Sequence, residues 1–305
     1  MAKRQFNEVS FQRLKNAIDS LPGLAESLEK QNISLHKMQT VHVFGYGSLP
    51  DQPHYEPDSI EDAYLWGYSR DMVCKSVRSG TSKFPGLTLG LDENPDGIVK
   101  GAIMSYQTAN DIQLCEMLEA FAKRENVTEL PIYKFAMLEI EKDDGSKVTA
   151  LTCVADPDSF GYFGDGLTPM EKTKLTDEQQ AEITLRRKAH RIAEANGRSQ
   201  KTGNYMTCKS YFDRFVRIPI QLNPVNTDPD YLATLPVHQA KRLKALYEED
   251  KRLLKLAREV NSHRQSLSNI NPGLSAILNA AEKRQLMNWK TKKTKTDQKR
   301  KPPQP

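Results

Sequence analysis

Two short stretches of this chain hold residue types suited to anion binding and to acid–base work. Phe44-Gly45-Tyr46-Gly47-Ser48-Leu49 is a β-like run that ends in two glycines flanking a tyrosine, then a serine. Glycines there let the backbone come close to a ligand and turn its N–H groups outward, a cradle for an anion or carboxylate. An ordinary strand-to-turn junction would look the same. The second feature is Glu125, directly after Arg124 at the end of an amphipathic segment that also carries Glu116 and Glu119. A carboxylate at a helix C-terminus faces the negative end of the macrodipole, which penalises its charged form and suits it to general-base chemistry. Solvated surface charge is the plain alternative for all three glutamates.

Other chemistries find less support. The four cysteines, Cys74, Cys115, Cys153 and Cys208, include no C-x-x-C pair, and the six histidines show no H-E-x-x-H spacing, which argues against zinc. The cysteines read as small buried apolar side chains in a reducing compartment. Ser48 reads as a hydrogen-bonding residue of its loop, because no histidine base stands in a matching pattern.

The elements that must hold these residues follow from periodicity and breakers. Phe11, Leu14, Ala17, Ile18 and Leu21 fall at helical spacing before Pro22-Gly23, predicting one or two short helices in the first 38 residues. From Thr40 the pattern changes to β-rich runs at 41–46, 63–68, 72–77, 86–91, 99–106, 132–140 and 147–154. Asn94-Pro95-Asp96-Gly97 and Asp143-Asp144-Gly145 are turn signals between them. Two helices interrupt the series. One runs from Thr108 to Arg124 with Thr108-x-x-Asp111 as its capping box. The other runs from Thr176 to Asn196 with Gly197 as its C-cap. Past Pro236 the pattern is helical, with a break at Asn271-Pro272-Gly273 and a further helix to about Trp289. The expected fold is α+β: a compact mixed β-barrel with flanking helices and a helical C-terminal extension. The domain boundaries expected are a helical N-terminal extension at 1–39, a catalytic domain at 40–225, a helical extension at 226–289 and a disordered basic tail at 290–305.

Composition narrows the class further. At 305 residues, 38% hydrophobic and 27% charged, the chain can bury a substantial core. Its mean hydropathy of −0.65 fits a soluble protein. No run approaches the length of a membrane span, and the start, MAKRQFNEVS, lacks a signal peptide's apolar segment, which predicts a cytoplasmic address. The net charge of +5 is local. Residues 283–301 carry nine Lys or Arg against Asp297 alone, a surplus of 8 that leaves the remainder at −3. Polyanion or protein partners are therefore expected only at the C-terminal tail, if anywhere, and not across the body.

Taken together, the motifs resemble the ChaC-like, glutathione-specific γ-glutamylcyclotransferase family. The resemblance runs from about Val41 to Phe215. It includes the Phe44–Leu49 signature, Gly67-Tyr68-Ser69-Arg70, Pro85-Gly86-Leu87, Gly101, the Arg124-Glu125 pair, the strand from Ala150 to Ala155, and Gly161-Tyr162-Phe163-Gly164. It implies a γ-glutamylcyclotransferase fold and cleavage of glutathione to 5-oxoproline and cysteinyl-glycine without cofactor or metal. It also implies that Glu125 is the acid and base and that Tyr46, Gly47, Ser48 and Leu49 hold the γ-glutamyl group. Arg78 and Tyr205 are carried over as substrate-binding residues, with Tyr211 as the alternative tyrosine. This sequence departs from the family pattern at Arg78-Ser79-Gly80-Thr81, which has one inserted residue, and at Asp165–Ala181, which is longer and more polar. Two other functions compete: a non-catalytic γ-glutamyl or amino-acid binding module, and an adaptor working through its helical basic C-terminus.

Overall fold

A computed structural model describes residues 8–51, 53, 55–77, 80–108, 110–125, 132–198, 205–214, 227–273 and 276. The N-terminal segment forms α1 (Glu8–Asp19) and α2 (Leu24–Lys30), separated where the periodicity predicts. Gly23 takes φ +79, and a Cβ there would meet the Phe135 carbonyl at 3.0 Å, so the break is set both by conformation and by a close approach.

Five strands follow: β1 (Thr40–Gly45), β2 (Ser59–Ser76), β3 (Gly86–Gln107), β4 (Tyr133–Lys142) and β5 (Lys147–Ala155). They close into a barrel in the order β1-β3-β2-β4-β5. The α+β barrel expectation thus holds, but with fewer and longer strands. The runs at 63–68 and 72–77 belong to one strand, β2, and those at 86–91 and 99–106 to one strand, β3. Asn94-Pro95-Asp96-Gly97 therefore lies inside β3 and is not a turn between strands. The reason is visible in the glycines. A Cβ on Gly97 would fall 2.4 Å from the Tyr68 carbonyl, and Gly67 has φ +81, so the two backbones cross closely and bend instead of reversing. The Asn94 side chain donates to Ser69 Oγ of the neighbouring strand at 2.7 Å while its Oδ1 accepts from the Asp96 N–H at 3.2 Å, so its local bend is kept but tied to β2. The second turn signal is realised: β4 and β5 pair antiparallel from Tyr133↔Ala155 to Glu141↔Lys147 around Asp143–Ser146.

Between the strands lies α3 (Asp111–Glu125), and further helices follow in α4 (Pro169–Lys174) and α5 (Asp177–Glu194). The cap of α3 is Asn110, not Thr108: its Oδ1 accepts from the Gln113 N–H at 3.0 Å, since a side chain immediately before the first turn reaches that donor. Thr176 caps α5 in a capping box with Gln179, as its sequence predicts. The helix stops at Glu194, though, and Gly197 sits in a short strand, β6 (Asn196–Arg198), paired with β7 (Tyr205–Thr207). Strand pairing, not a left-handed glycine, takes the chain out of the helix. The described chain continues through α6 (Cys208–Phe212), α7 (Pro229–Ala233) and a 34-residue α8 (Val237–Ile270). The helix expected to reach Trp289 and the basic tail lie largely or wholly outside the described residues.

By internal packing the chain divides into two compact units. Unit 1 draws on 1–71, 89–162 and 223–249, and unit 2 on 72–88, 163–222 and 250–305. The core of unit 1 gathers Phe44, Ala63, Leu65, Leu91, Val99, Ile103, Ile140, Ala150 and Val154. Its outer parts are tied on by polar bonds. Phe135 donates its N–H to the Pro22 carbonyl at 2.7 Å, and Met137 donates to Ser27 Oγ at 2.8 Å, so the helical N-terminus supplies acceptors to β4. Arg242 of α8, 3% exposed, pairs with Glu141 and Asp143 at 2.9 Å each and lies over the Tyr64 ring. In unit 2 Leu253, Leu256, Ala257 and Val260 of α8 are buried.

Where β1 and β3 pair, Gly101 admits the neighbouring strand: a Cβ there would lie 2.4 Å from the Gly45 carbonyl and 2.6 Å from Phe44 Cζ. Gly101→Ala is expected to lower stability by about 1–3 kcal/mol through this overpacking. Urea unfolding should show it as a lower midpoint with an unchanged slope.

Candidate active site

The loop Tyr46–Leu49 is placed by the end of β1. That strand pairs antiparallel with β3, Phe44 opposite Ile103 and Gly45 opposite Ala102, and parallel with β5 at Val43↔Leu151. The fully buried Thr152 donates its hydroxyl to the Phe44 carbonyl at 3.0 Å, fixing the last residues before the loop. The Tyr46 ring stacks near Phe44, and its hydroxyl donates to the Cys153 carbonyl at 3.1 Å. Its side chain therefore anchors the loop, while its carbonyl receives a long contact of 3.5 Å from Arg70 Nη1. Leu49 is buried.

The two glycines do different work. A Cβ on Gly45 would lie 2.8 Å from Pro50 Cδ and 3.1 Å from Met104 Cε, so this glycine serves packing. At Gly47 an added Cβ meets, among the described residues, only Leu89 Cδ1, at an ordinary 3.7 Å, and no positive φ is involved. None of the described residues demands glycine there. Among the described residues, the backbone N–H groups of Gly47, Ser48 and Leu49 find no acceptor within the protein. Three donors in a row on a half-buried loop form a place where negative charge is welcome.

Glu125 comes from the last turn of α3, whose Leu114, Cys115, Met117, Leu118, Phe121 and Ala122 are buried. That face fixes the helix and hence its end. Phe121 meets Phe135 edge-on at 5.1 Å, and α1 packs along the same helix. The Arg124 guanidinium pairs through Nη1 with the Glu125 carboxylate and donates through Nη2 to Ser48 Oγ at 3.0 Å. With Arg124 13% and Glu125 20% exposed, the pair is largely sheltered. Glu116 is exposed, and Glu119 forms an exposed pair with Arg13 at 3.2 Å. Of the three glutamates, Glu125 alone is linked to the glycine loop, by way of its sequence neighbour.

Tyr106, on β3, lies close enough for the Arg124 charge to act on it, yet burial dominates and pushes its phenol up to about 12. It stays a neutral donor, giving its proton to the Tyr55 carbonyl at 3.3 Å. Burial likewise raises Tyr68, which packs against the core beside Tyr46.

Of the other residues expected in the site, Arg78 lies outside the described residues. Tyr205 opens β7 opposite Arg198, with only its backbone described, and Tyr211 is half-buried in α6. Sequence reasoning treated Arg124 as a marker and left Arg70 in a motif without a role. For Arg124 the signal is its place beside Glu125, since a guanidinium next to a carboxylate offers the forked donor that binds two acceptors at once; Arg70 carries no such signal. Among the described residues, neither the loop nor Glu125 belongs to a group of three His, Cys, Asp or Glu donors close enough to share an ion.

A family model described as ChaC-like protein matches residues 41–210. Over 127 residues the chain is 30% identical to "Glutathione-specific gamma-glutamylcyclotransferase 1" of Rattus norvegicus and, equally, to its namesake in Mus musculus. Each match takes in 41% of this chain and 56% of the relative, so the chain spans about half the length of these proteins. Among solved structures, a selenomethionine-labelled γ-glutamyl cyclotransferase specific to glutathione from yeast is similar with 16% identity and a TM-score of 0.44. That likeness covers 71% of this chain and 97% of the yeast one. The fold itself rests on the strand order described above.

The division between the glycines is directly measurable. Gly45→Ala should lower the thermal unfolding midpoint, by the equivalent of about 1–3 kcal/mol. Gly47→Ala should leave it within experimental error of the wild type, whatever it does to ligand binding.

Proposed function

The chain belongs to the ChaC-like family, and from that premise we propose that it is a γ-glutamylcyclotransferase converting glutathione to 5-oxoproline and cysteinyl-glycine, within a catalytic domain spanning about 40–225. The observation that carries the proposal is the Arg124 guanidinium, which joins the Glu125 carboxylate to the loop whose three backbone donors find no acceptor among the described residues.

The reaction asks little of the protein. The substrate's α-amine attacks its own γ-carbonyl, so nucleophile and electrophile are tethered and a five-membered lactam forms without a bimolecular encounter. One C–N bond forms and the amide C–N bond to cysteine breaks. The α-ammonium loses one proton to become the attacking amine and a second on becoming the lactam N–H, and Glu125 relays both, one at a time, to the departing nitrogen, which leaves as the cysteinyl ammonium; no water is consumed and the carboxylate ends as it began. The N–H groups of Gly47, Ser48 and Leu49 hold the oxyanion that develops on the γ-carbonyl oxygen. Gly47 lets the substrate come against the backbone, since a side chain there would occupy ligand space and not protein space. Arg124 keeps loop and carboxylate in register. Arg78 and Tyr205, with Tyr211 as the alternative tyrosine, are the further substrate-binding residues that the family resemblance implies.

The cytoplasm is the compartment we favour. All four cysteines are buried without forming a disulfide, as a reducing environment permits. No helix among the described residues is long and apolar enough to cross a membrane.

Incubating the purified chain with glutathione should release equal amounts of 5-oxoproline and cysteinyl-glycine, detected by mass spectrometry. Glu125→Gln should lower turnover by about 10²–10⁴-fold while the unfolding midpoint stays near that of the wild type. Turnover that survives this substitution would remove Glu125 from its role. A panel of other γ-glutamyl amides and dipeptides, run beside glutathione, separates a glutathione-specific enzyme from a broader one.

A further inference from the structure

Within unit 2, His190, Glu194 and His263 present three ligand-type atoms to one point. His190 and Glu194 lie one turn apart on α5, and His263 comes from α8. His190 Nδ1 is 3.2 Å from His263 Nε2, His263 Nε2 is 2.8 Å from Glu194 Oε1, and His190 Nδ1 is 3.3 Å from the same oxygen. An ion with bonds of about 2.0–2.2 Å to nitrogen and oxygen spaces its ligands roughly 3.0–3.4 Å apart, according to its geometry. We propose that these three residues bind a divalent transition-metal ion of the zinc class and thereby clasp α8 to the last turn of α5.

The surroundings favour an ion over a shared proton. Among the described residues, the three atoms have no polar partner except one another. With one N–H on each neutral ring, protons satisfy the two contacts to Glu194 and leave the 3.2 Å approach of the two ring nitrogens unbonded, whereas an ion satisfies all three. The rings are already oriented: His190 meets Phe84 edge-on at 5.7 Å, and His263 stands perpendicular to His190 with ring centres 5.0 Å apart. Arg264 Nη1 donates to the Ala193 carbonyl at 2.6 Å, which holds this part of α8 at the C-terminal end of α5. That helix end carries negative partial charge and attracts a cation. The three side chains are partly exposed, leaving an entry path and room for water as a further ligand. Two imidazoles and one carboxylate suit zinc, cobalt or nickel better than calcium or magnesium, which prefer oxygen alone. Spacing rules overlooked the group because its third ligand comes from another helix, 69 residues beyond Glu194.

The test uses the full chain, stripped of metal by chelator and freed of any affinity tag, titrated with Co²⁺ and then with Zn²⁺. One equivalent of Co²⁺ should bind with a visible d–d spectrum, and Zn²⁺ should displace it and raise the unfolding midpoint. Binding should release protons and weaken as the solution is made more acidic, because protons compete with the ion for the same ligand atoms. Affinity should drop at least about tenfold in His263→Ala and in Glu194→Gln, since even outer partners of a metal site are worth about 10–100-fold. His263→Gln, which keeps the side chain's bulk, decides the matter should the alanine variant fail to fold. No uptake by the wild type, as a cluster held by a proton alone requires, overturns the site. Uptake of equal affinity in the variants overturns it too.

Discussion

The candidate active site depends on one forked contact. Arg124 sits beside the carboxylate it pairs with and reaches Ser48 in a loop 76 residues earlier in the chain. A guanidinium is suited to this, because its planar donors hold two acceptors at fixed angles, where an ammonium would act as a point charge. The contact lasts only where water is scarce, and both partners are largely sheltered. For it to form, β1 must end and α3 must end at matching places. Barrel pairing on both sides of β1 sets the first, and the apolar face of α3 sets the second.

Backbone proximity is the second constraint, and glycine supplies it unevenly. Gly97 and Gly101 stand in the long strand β3 where a Cβ would strike backbone or a neighbouring ring, and Gly45 stands where one would strike Pro50 and Met104. Among the described residues Gly47 meets no such demand. Tyr46 shows the same division within one residue. Its ring and hydroxyl are committed to the barrel, while the backbone N–H groups of the three residues after it find no acceptor among the described residues.

The terminal segments are held by polar fittings. Pro22 and Ser27 accept hydrogen bonds from β4, and Arg242 sets a nearly buried guanidinium against two acidic side chains and a tyrosine. In unit 2, Arg264 and the proposed ion both bear on the last turn of α5, directly before the β6–β7 pair that carries Tyr205.

Much of this was legible in the residues. The helical spacing of Leu14, Ala17 and Leu21, the Pro22-Gly23 break, the Thr176 cap and the β4–β5 turn depend on neighbours within a few positions, and the chain realises them as its sequence predicts. The glycine loop and the Arg124-Glu125 pair were visible as chemistry for the same reason, each being a contiguous motif. What local pattern could not decide was anything settled by a partner distant in sequence. Asn94-Pro95-Asp96-Gly97 joined a strand because Tyr68 and Ser69 lay against it, Gly197 entered a strand because Met206 paired with it, and His190 met His263 only through helix packing. Sequence alone therefore determined which groups are available and which short elements hold them. Tertiary structure decided which groups meet, because hydrogen bonds and ion pairs act over a few ångströms of space and are blind to distance along the chain.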